Sequence, residues 1–314
     1  MAAAGAGAAT AVARIEAEFR QADRDWYAFG TGELAAVNAR LARGEPAPVS
    51  AALAPLIRRA IELHALSGGR FDPGVCALVR LWQFDSEEAL ASAAGPPPAD
   101  EIRALRARQA TLADLRFDGR TLAADRPLCI DLGGMAKGTA LAAAGRILAS
   151  QGIGNALVDI GGSTQLAIGS RGERPWTIGI LHPRKNRVLA RLALAPGEAA
   201  STSGDYERGY VGEDEHRYHH ILDPRTGEPT TGAAAVTVVS RDPETADAAS
   251  TALMVAGPDD FVAVAAALGV DTALLITTAG ELLATPAMTA RLARDNGGSL
   301  PVLAWPAPGE APEL

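Results

Sequence analysis

Asp131-Leu132-Gly133-Gly134-Met135-Ala136-Lys137-Gly138 sets an acid, two glycines and a lysine where an apolar run gives way to a helical pattern. Leu128, Cys129 and Ile130 read as the end of a buried strand, while Leu141, Ala144, Ile147 and Leu148 recur at helix spacing. A glycine turn opening a helix presents backbone N–H groups at its positive end, which favours an anion. Lys137 adds a full charge there, so the chemistry on offer is phosphate or pyrophosphate binding. The order Lys-Gly-Thr is not that of a Walker A loop, and the glycine spacing is not the dinucleotide fingerprint. The same residues also make a tight turn whose glycines supply positive φ and whose lysine is solvated. The motif alone does not separate the two.

Four more stretches carry usable groups. Ser201-Thr202-Ser203-Gly204-Asp205-Tyr206 offers hydroxyl donors, or else a polar loop at a strand edge. In Tyr218-His219-His220-Ile221-Leu222-Asp223-Pro224-Arg225-Thr226-Gly227, adjacent histidines on a strand face opposite ways, so one could act as a general base while the other is structural. Asp247 and Thr251 are spaced i, i+4 behind an Asp242-Pro243 helix start, which puts a carboxylate and a hydroxyl on one face. Hard oxygens of this kind suit Mg²⁺, though an aspartate near a helix start is also stabilised by the dipole. Gly69-Arg70-Phe71-Asp72 places an aromatic between a base and an acid in a turn.

The elements that must position these groups are legible in outline. Ile15, Phe19 and Trp26 predict a first amphipathic helix, and Leu53, Leu56, Ile57, Ala60, Ile61 and Leu63 predict a stronger one. Leu115–Phe117, Thr121–Ala123 and Leu128–Ile130 read as successive short strands entering the Asp131 motif. Val158-Asp159-Ile160-Gly161-Gly162 repeats that motif's acid-Gly-Gly signature at a βαβ-sized spacing, so two such turns could share one sheet end. Residues 234–239 predict a strand and 244–268 helices. An Ala/Gly-rich lead (1–14) and a Pro-rich tail (301–314) are expected to be loose around one catalytic domain at 15–300.

Bulk composition narrows the function classes. The 29 basic and 37 acidic residues give a net charge of −8, which argues against broad nucleic-acid binding but not against a local basic pocket. No apolar run is long enough to span a membrane. Cys76 and Cys129, the two cysteines, lie in apolar surroundings and are expected as buried free thiols, with a disulfide between them the alternative.

Taken together, the stretches resemble the FAD:protein FMN transferases of the ApbE family. The matching runs are Asp131 to Gly138, Asp159 to Gly162, Thr202 to Tyr206, His220 to Gly227 and Ala246 to Leu253, with Gly69 to Pro73 and Leu81-Trp82-Gln83-Phe84 upstream. The resemblance covers roughly residues 15 to 285 in the family's order. It implies an α+β fold of two intimately joined subdomains rather than a doubly wound sheet. It also implies Mg²⁺-dependent transfer of the FMN half of FAD to a threonine or serine hydroxyl of a target flavoprotein, with release of AMP. FAD contacts are implied at Arg70, Phe71, Asp72, Asp131, Lys137 and Leu222, and a flavin-packing aromatic at Tyr27, with Phe29 its rival. The Gly134 carbonyl, Asp247 and Thr251 are implied as metal ligands, and His220 as the group that helps deprotonate the acceptor hydroxyl.

The chain departs from the family pattern in places. Gly74 stands where threonine is usual, Cys76-Ala77 where glycine-proline is, Gln83 where the glycine of Trp-Gly-Phe is, and Ser163 where aspartate is common. The family's opening strand is expected to be missing, since the chain starts at its first helix. No lipobox cysteine or signal peptide is evident, so a cytoplasmic location is expected, with a periplasmic one the alternative if the N-terminus is incomplete. The alternatives that this leaves are an FAD-binding protein without transferase activity, and an FAD hydrolase giving FMN and AMP.

Overall fold

The computed structural model describes residues 6–293 and 301–303. Two compact units form, one from residues up to 19, 137–204 and 231 onward, the other from 20–136 and 205–230.

The first unit is built on a seven-stranded sheet. Helix α1 (Ala6–Trp26) contributes its residues up to Phe19, and α7 (Gly133–Ser150) its residues from Lys137. The strands are β4 (Ala156–Ile160), β5 (Thr164–Ile168), β8 (Ala199–Gly204), β11 (Ala233–Ser240), β12 (Thr272–Thr277), β13 (Leu282–Ala284) and β15 (Val302–Leu303). They run in the order β15-β13-β12-β11-β8-β5-β4, antiparallel except for β13–β15. Strand β12 is buried along its whole length and β11 along all but its last residue, as suits strands made mostly of Ala, Val, Leu and Ile. Helix α8 (Pro243–Ala267) packs on β8, β11 and β12 and is buried nearly all round, which its alanine-rich sequence permits. A kink at Gly257-Pro258 divides it. A smaller sheet orders β6 (Trp176–Leu181), β7 (Val188–Leu194) and β14 (Leu292–Ala293) as β14-β7-β6, and the short α9 (Pro286–Thr289) lies against β12.

The second unit holds α2 (Glu33–Leu41), β1 (Ala47–Pro48), α3 (Leu53–Leu66), α4 (Cys76–Leu81), α5 (Glu87–Ala91), α6 (Ala99–Arg108), β2 (Arg116–Phe117) and β3 (Thr121–Ala123). A hairpin of β9 (Gly209–Val211) and β10 (Arg217–His219) completes it. Its core includes Leu78, Val79, Trp82, Phe84, Ile102, Leu105 and Leu222, and the Trp82 indole N–H donates to the Gly227 carbonyl at 2.8 Å. The architecture is α+β, as expected.

Several expectations change. The lead expected as loose is helical from Ala6, because alanine is the best helix former and Ala11 and Ile15 are buried. Residues 1–5, 294–300 and 304–314 lie outside the described residues, so the rest of the lead and most of the tail do too. Val302-Leu303, from the expected tail, pairs with β13. Leu128–Ile130 is not a strand. The Asn38 side chain takes the place of a neighbouring strand there, its amide donating to the Ile130 carbonyl and accepting from the Ile130 N–H, both at 2.8 Å. With no strand ahead of α7 there is no βαβ unit, and β4 simply turns back into β5. The two cysteines are not free thiols. Cys76 and Cys129 form a disulfide with Cα atoms 5.1 Å apart, beside the bond from the Asp131 N–H to the Pro73 carbonyl that draws these segments together.

Two positions make measurable predictions. A Cβ on Gly138 would lie 2.3 Å from the Pro243 carbonyl oxygen, so α7 and α8 meet at a point where only glycine fits. Gly138→Ala is expected to lower unfolding stability in urea by about 1–3 kcal/mol, the usual cost of overpacking. His219 is 2% exposed, and its Nε2–H donates to the Thr230 carbonyl at 3.0 Å. Desolvation holds its folded-state pKa below the ordinary 6.5, against the opposing effect of that hydrogen bond. The unfolded chain therefore binds the extra proton first, and this stability contribution is complete above that value and is lost as pH falls below it. His219→Gln is expected to flatten the fall in urea stability between pH 7.5 and 5, a slope limited to about 1.4 kcal/mol per pH unit for one group.

Candidate functional site

In the first unit the site is built around Asp247. Asp242 accepts from the Glu244 N–H at 3.1 Å and Pro243 takes the first turn, so α8 starts where the local residues direct it. One turn on, the Asp247 carboxylate is only 2% exposed. Its Oδ1 accepts from the Ser201 hydroxyl at 2.9 Å, with Thr164 Oγ1 at 3.5 Å and the Lys137 ammonium at 3.7 Å. Its Oδ2 accepts from the Gly138 N–H at 2.9 Å. A carboxylate so far from water must be paired and hydrogen-bonded, and here a cation, two hydroxyls and a main-chain donor share that task.

Strand β8 supplies hydroxyls in alternation. Ser201 and Ser203 face α8, and Ser203 Oγ lies 2.7 Å from Ser250 Oγ and 3.4 Å from Thr251 Oγ1. Thr202 faces the other way, 2.9 Å from its cross-strand partner Thr237. The run is thus an interior strand and not a loop at a sheet edge. Thr164 carried no sequence signal beyond being polar at the head of an apolar strand. It is the register partner of Ser201, which places its hydroxyl on the same face.

The donor set suits a hard cation. It comprises one buried carboxylate and the Thr251 hydroxyl a turn away, with Lys137 beside them, and Mg²⁺ needs few protein ligands. No group of three or more His, Cys, Asp or Glu side chains is placed to hold a metal among the described residues.

The second unit holds the other candidate residues. Gly134 sits in the first turn of α7, whose start is capped by Asp131, with Oδ1 accepting from the Gly133 N–H at 2.9 Å. The matching acid-Gly-Gly run in the first unit is a hairpin turn: Asp159 accepts from the Gly162 N–H at 2.8 Å, and Gly161 and Gly162 both have positive φ. Asp72 is largely occupied with structure, since Oδ1 accepts from Gly74 N–H at 2.7 Å and Leu112 N–H at 3.2 Å. Burial pushes its carboxyl pKa up, against the opposing effect of nearby His64. Phe71 and Leu222 are buried, and Arg70 Nη1 reaches the Gly68 carbonyl at 3.5 Å. Tyr27 is 41% exposed with its hydroxyl on the Asp85 carbonyl at 2.6 Å. Its rival Phe29 is half-buried, edge-on to Tyr27 and with the Arg80 guanidinium over its ring.

His219 and His220 do face opposite ways, one buried and one partly open. The His220 Nδ1 is 3.2 Å from the Arg208 carbonyl, which can only accept, so Nδ1 carries a proton and orients the ring. Gln83, which stands where a glycine was expected, has φ 61, so this turn keeps a glycine-like backbone on another residue.

Comparison with known proteins identifies the family of the chain as a whole. The model of the ApbE family matches residues 2–275. A FAD:protein FMN transferase of Rhodobacter capsulatus is 40% identical over 297 residues, 93% of this chain and 55% of that protein. The chain thus spans about half the length of that relative. One from Vibrio cholerae is 37% identical over 237 residues, 74% of this chain and 70% of the relative. Among solved structures, the ApbE protein of Thermotoga maritima matches at TM-score 0.82 and 30% identity, over 90% of this chain and 91% of that one. The flavin transferase ApbE of Vibrio cholerae matches at 0.79 and 32%, over 92% and 91%. With a family model across most of its length and relatives 40% and 37% identical over the aligned stretches, this chain belongs to the ApbE family.

Proposed function

We propose that this chain moves the FMN half of FAD onto a threonine or serine hydroxyl of a target flavoprotein, in a Mg²⁺-dependent reaction that releases AMP. The observation that carries the reading is the buried Asp247 carboxylate, held beside Lys137 and Thr251 in a chain whose relatives are named as FAD:protein FMN transferases.

In balanced form, the acceptor oxygen bonds to the FMN-side phosphorus, the bond from that phosphorus to the bridging oxygen breaks, and AMP leaves with the bridge. The acceptor proton goes to a base. His220 fills that role through Nε2, since its Nδ1–H is spent on the Arg208 carbonyl. Asp247 and Thr251, with the Gly134 carbonyl, would hold Mg²⁺, which when bound supplies charge neutralisation on the pyrophosphate and on the departing AMP. Lys137 is a second cation for the same phosphates, its side chain 38% exposed beside Asp247. Tyr27 offers its open face to the flavin, while Asp131, Arg70 and the residues after it shape the remainder of the FAD contacts.

No helix among the described residues is long and apolar enough to cross a membrane. The Cys76–Cys129 disulfide favours an oxidising compartment over the cytoplasmic one that the sequence suggested.

The test is incubation with FAD and Mg²⁺, with and without an acceptor protein, following AMP and protein-bound flavin fluorescence together. Transfer gives both products only with acceptor present, hydrolysis gives AMP without labelled protein, and simple binding gives neither. Asp247→Ala is expected to cut AMP release by more than about 100-fold, the scale of losing a main electrostatic stabiliser. Unchanged turnover would remove Asp247 from the metal site. His220→Ala is expected to lower transfer by about 10²–10⁴-fold with FAD affinity retained, as for loss of a general base.

A further inference from the structure

We propose that Ser201 and Thr164 are positioning residues that set the Asp247 carboxylate for its divalent cation and so determine the cation affinity. This rests on the reading of Asp247 as a cation ligand.

A carboxylate offers about four lone-pair directions, and a ligand that swivels among them binds a hard cation poorly. In this chain neither oxygen is at liberty to swivel. Oδ2 takes the Gly138 N–H and Oδ1 takes the Ser201 hydroxyl, each at 2.9 Å, and both donors are buried with Asp247. Ser201 has one proton to give. Since it goes to the carboxylate, the 3.0 Å contact between Thr164 Oγ1 and Ser201 Oγ must be donated by Thr164, whose single proton is shared with the longer 3.5 Å contact to Asp247 Oδ1. The result is a one-way relay, Thr164 to Ser201 to Asp247, in which each bond polarises the next.

The scaffold makes the relay rigid. Thr164 and Ser201 are register partners on the interior strands β5 and β8, and are 0% and 1% exposed. The two short bonds leave lone pairs on Asp247 for a cation, with Lys137 at 3.7 Å as the charge that balances the acid in the cation's absence. A merely structural role would require only that the carboxylate be satisfied; the relay in addition fixes which way it points.

The experiment is a Mn²⁺ titration of the full chain with FAD present, read by the EPR signal of free Mn²⁺, with Mg²⁺ as competitor and circular dichroism to check folding. Ser201→Ala is expected to raise the Mn²⁺ dissociation constant by about 10–100-fold, the usual effect of losing a residue behind a metal ligand. Ser201→Thr, which restores the hydroxyl, should return it to within a few-fold of the unaltered chain, and transfer by Ser201→Ala should recover at saturating Mg²⁺. Wild-type cation affinity in folded Ser201→Ala overturns the proposal. If that variant does not fold, Thr164→Val decides: weakened binding supports the relay and unchanged binding overturns it. Asp247→Ala separates the two claims, since tight Mn²⁺ binding there would refute the metal reading itself.

Discussion

A carboxylate buried to 2% exposure is the constraint around which the first unit is arranged. Left alone, an ionised acid in such surroundings costs several kcal/mol, roughly the penalty seen when one partner of a buried pair is removed. Asp247 is compensated from three directions: helix α7 brings Lys137 and the Gly138 N–H, β8 brings Ser201, and β5 brings Thr164. Each supplier constrains its own element. Gly138 must lack a side chain so that α7 can come against the start of α8. Strands β5 and β8 must keep their register, because a slip of one residue would turn both hydroxyls to the other face.

The second unit applies the same economy to its backbone. Irregular chain that is buried still has N–H and C=O groups to satisfy, and polar side chains do so where no strand is available. Asn38 serves both groups of Ile130, Asp72 takes two N–H groups, and Asp131 caps the start of α7. These acids draw the eye as ligand contacts, yet much of their hydrogen-bonding capacity is used in shaping the turns. The groups left outward are of another kind: the open face of Tyr27 and the His220 ring, oriented by the Arg208 carbonyl.

Departures from the family pattern acquire physical meaning in the same way. Gln83 replaces a glycine but keeps φ at 61, so the Leu81-Trp82-Gln83-Phe84 turn still delivers Trp82 and Phe84 to the core. Cys76 replaces a residue at the start of α4 and finds Cys129 across from it, tying that helix to the segment leading to Asp131.

What the sequence by itself determined is what depends on near neighbours. The Asp242-Pro243 helix start, the shared face of Asp247 and Thr251, and the opposed histidines follow from spacing along one helix or strand, and they stand in the structure. The fold class and the family were also legible, because several such local signatures recur in one order. The tertiary structure alone decided who surrounds Asp247: its partners come from 46, 83 and 109 residues away. It likewise turned two expected thiols into a disulfide across 53 residues and an expected strand into a segment paired with Asn38, 92 residues distant. Periodicity tells which way a side chain points along its own element. Which donor it then meets depends on sheet register and helix packing, and these are properties of the whole folded chain.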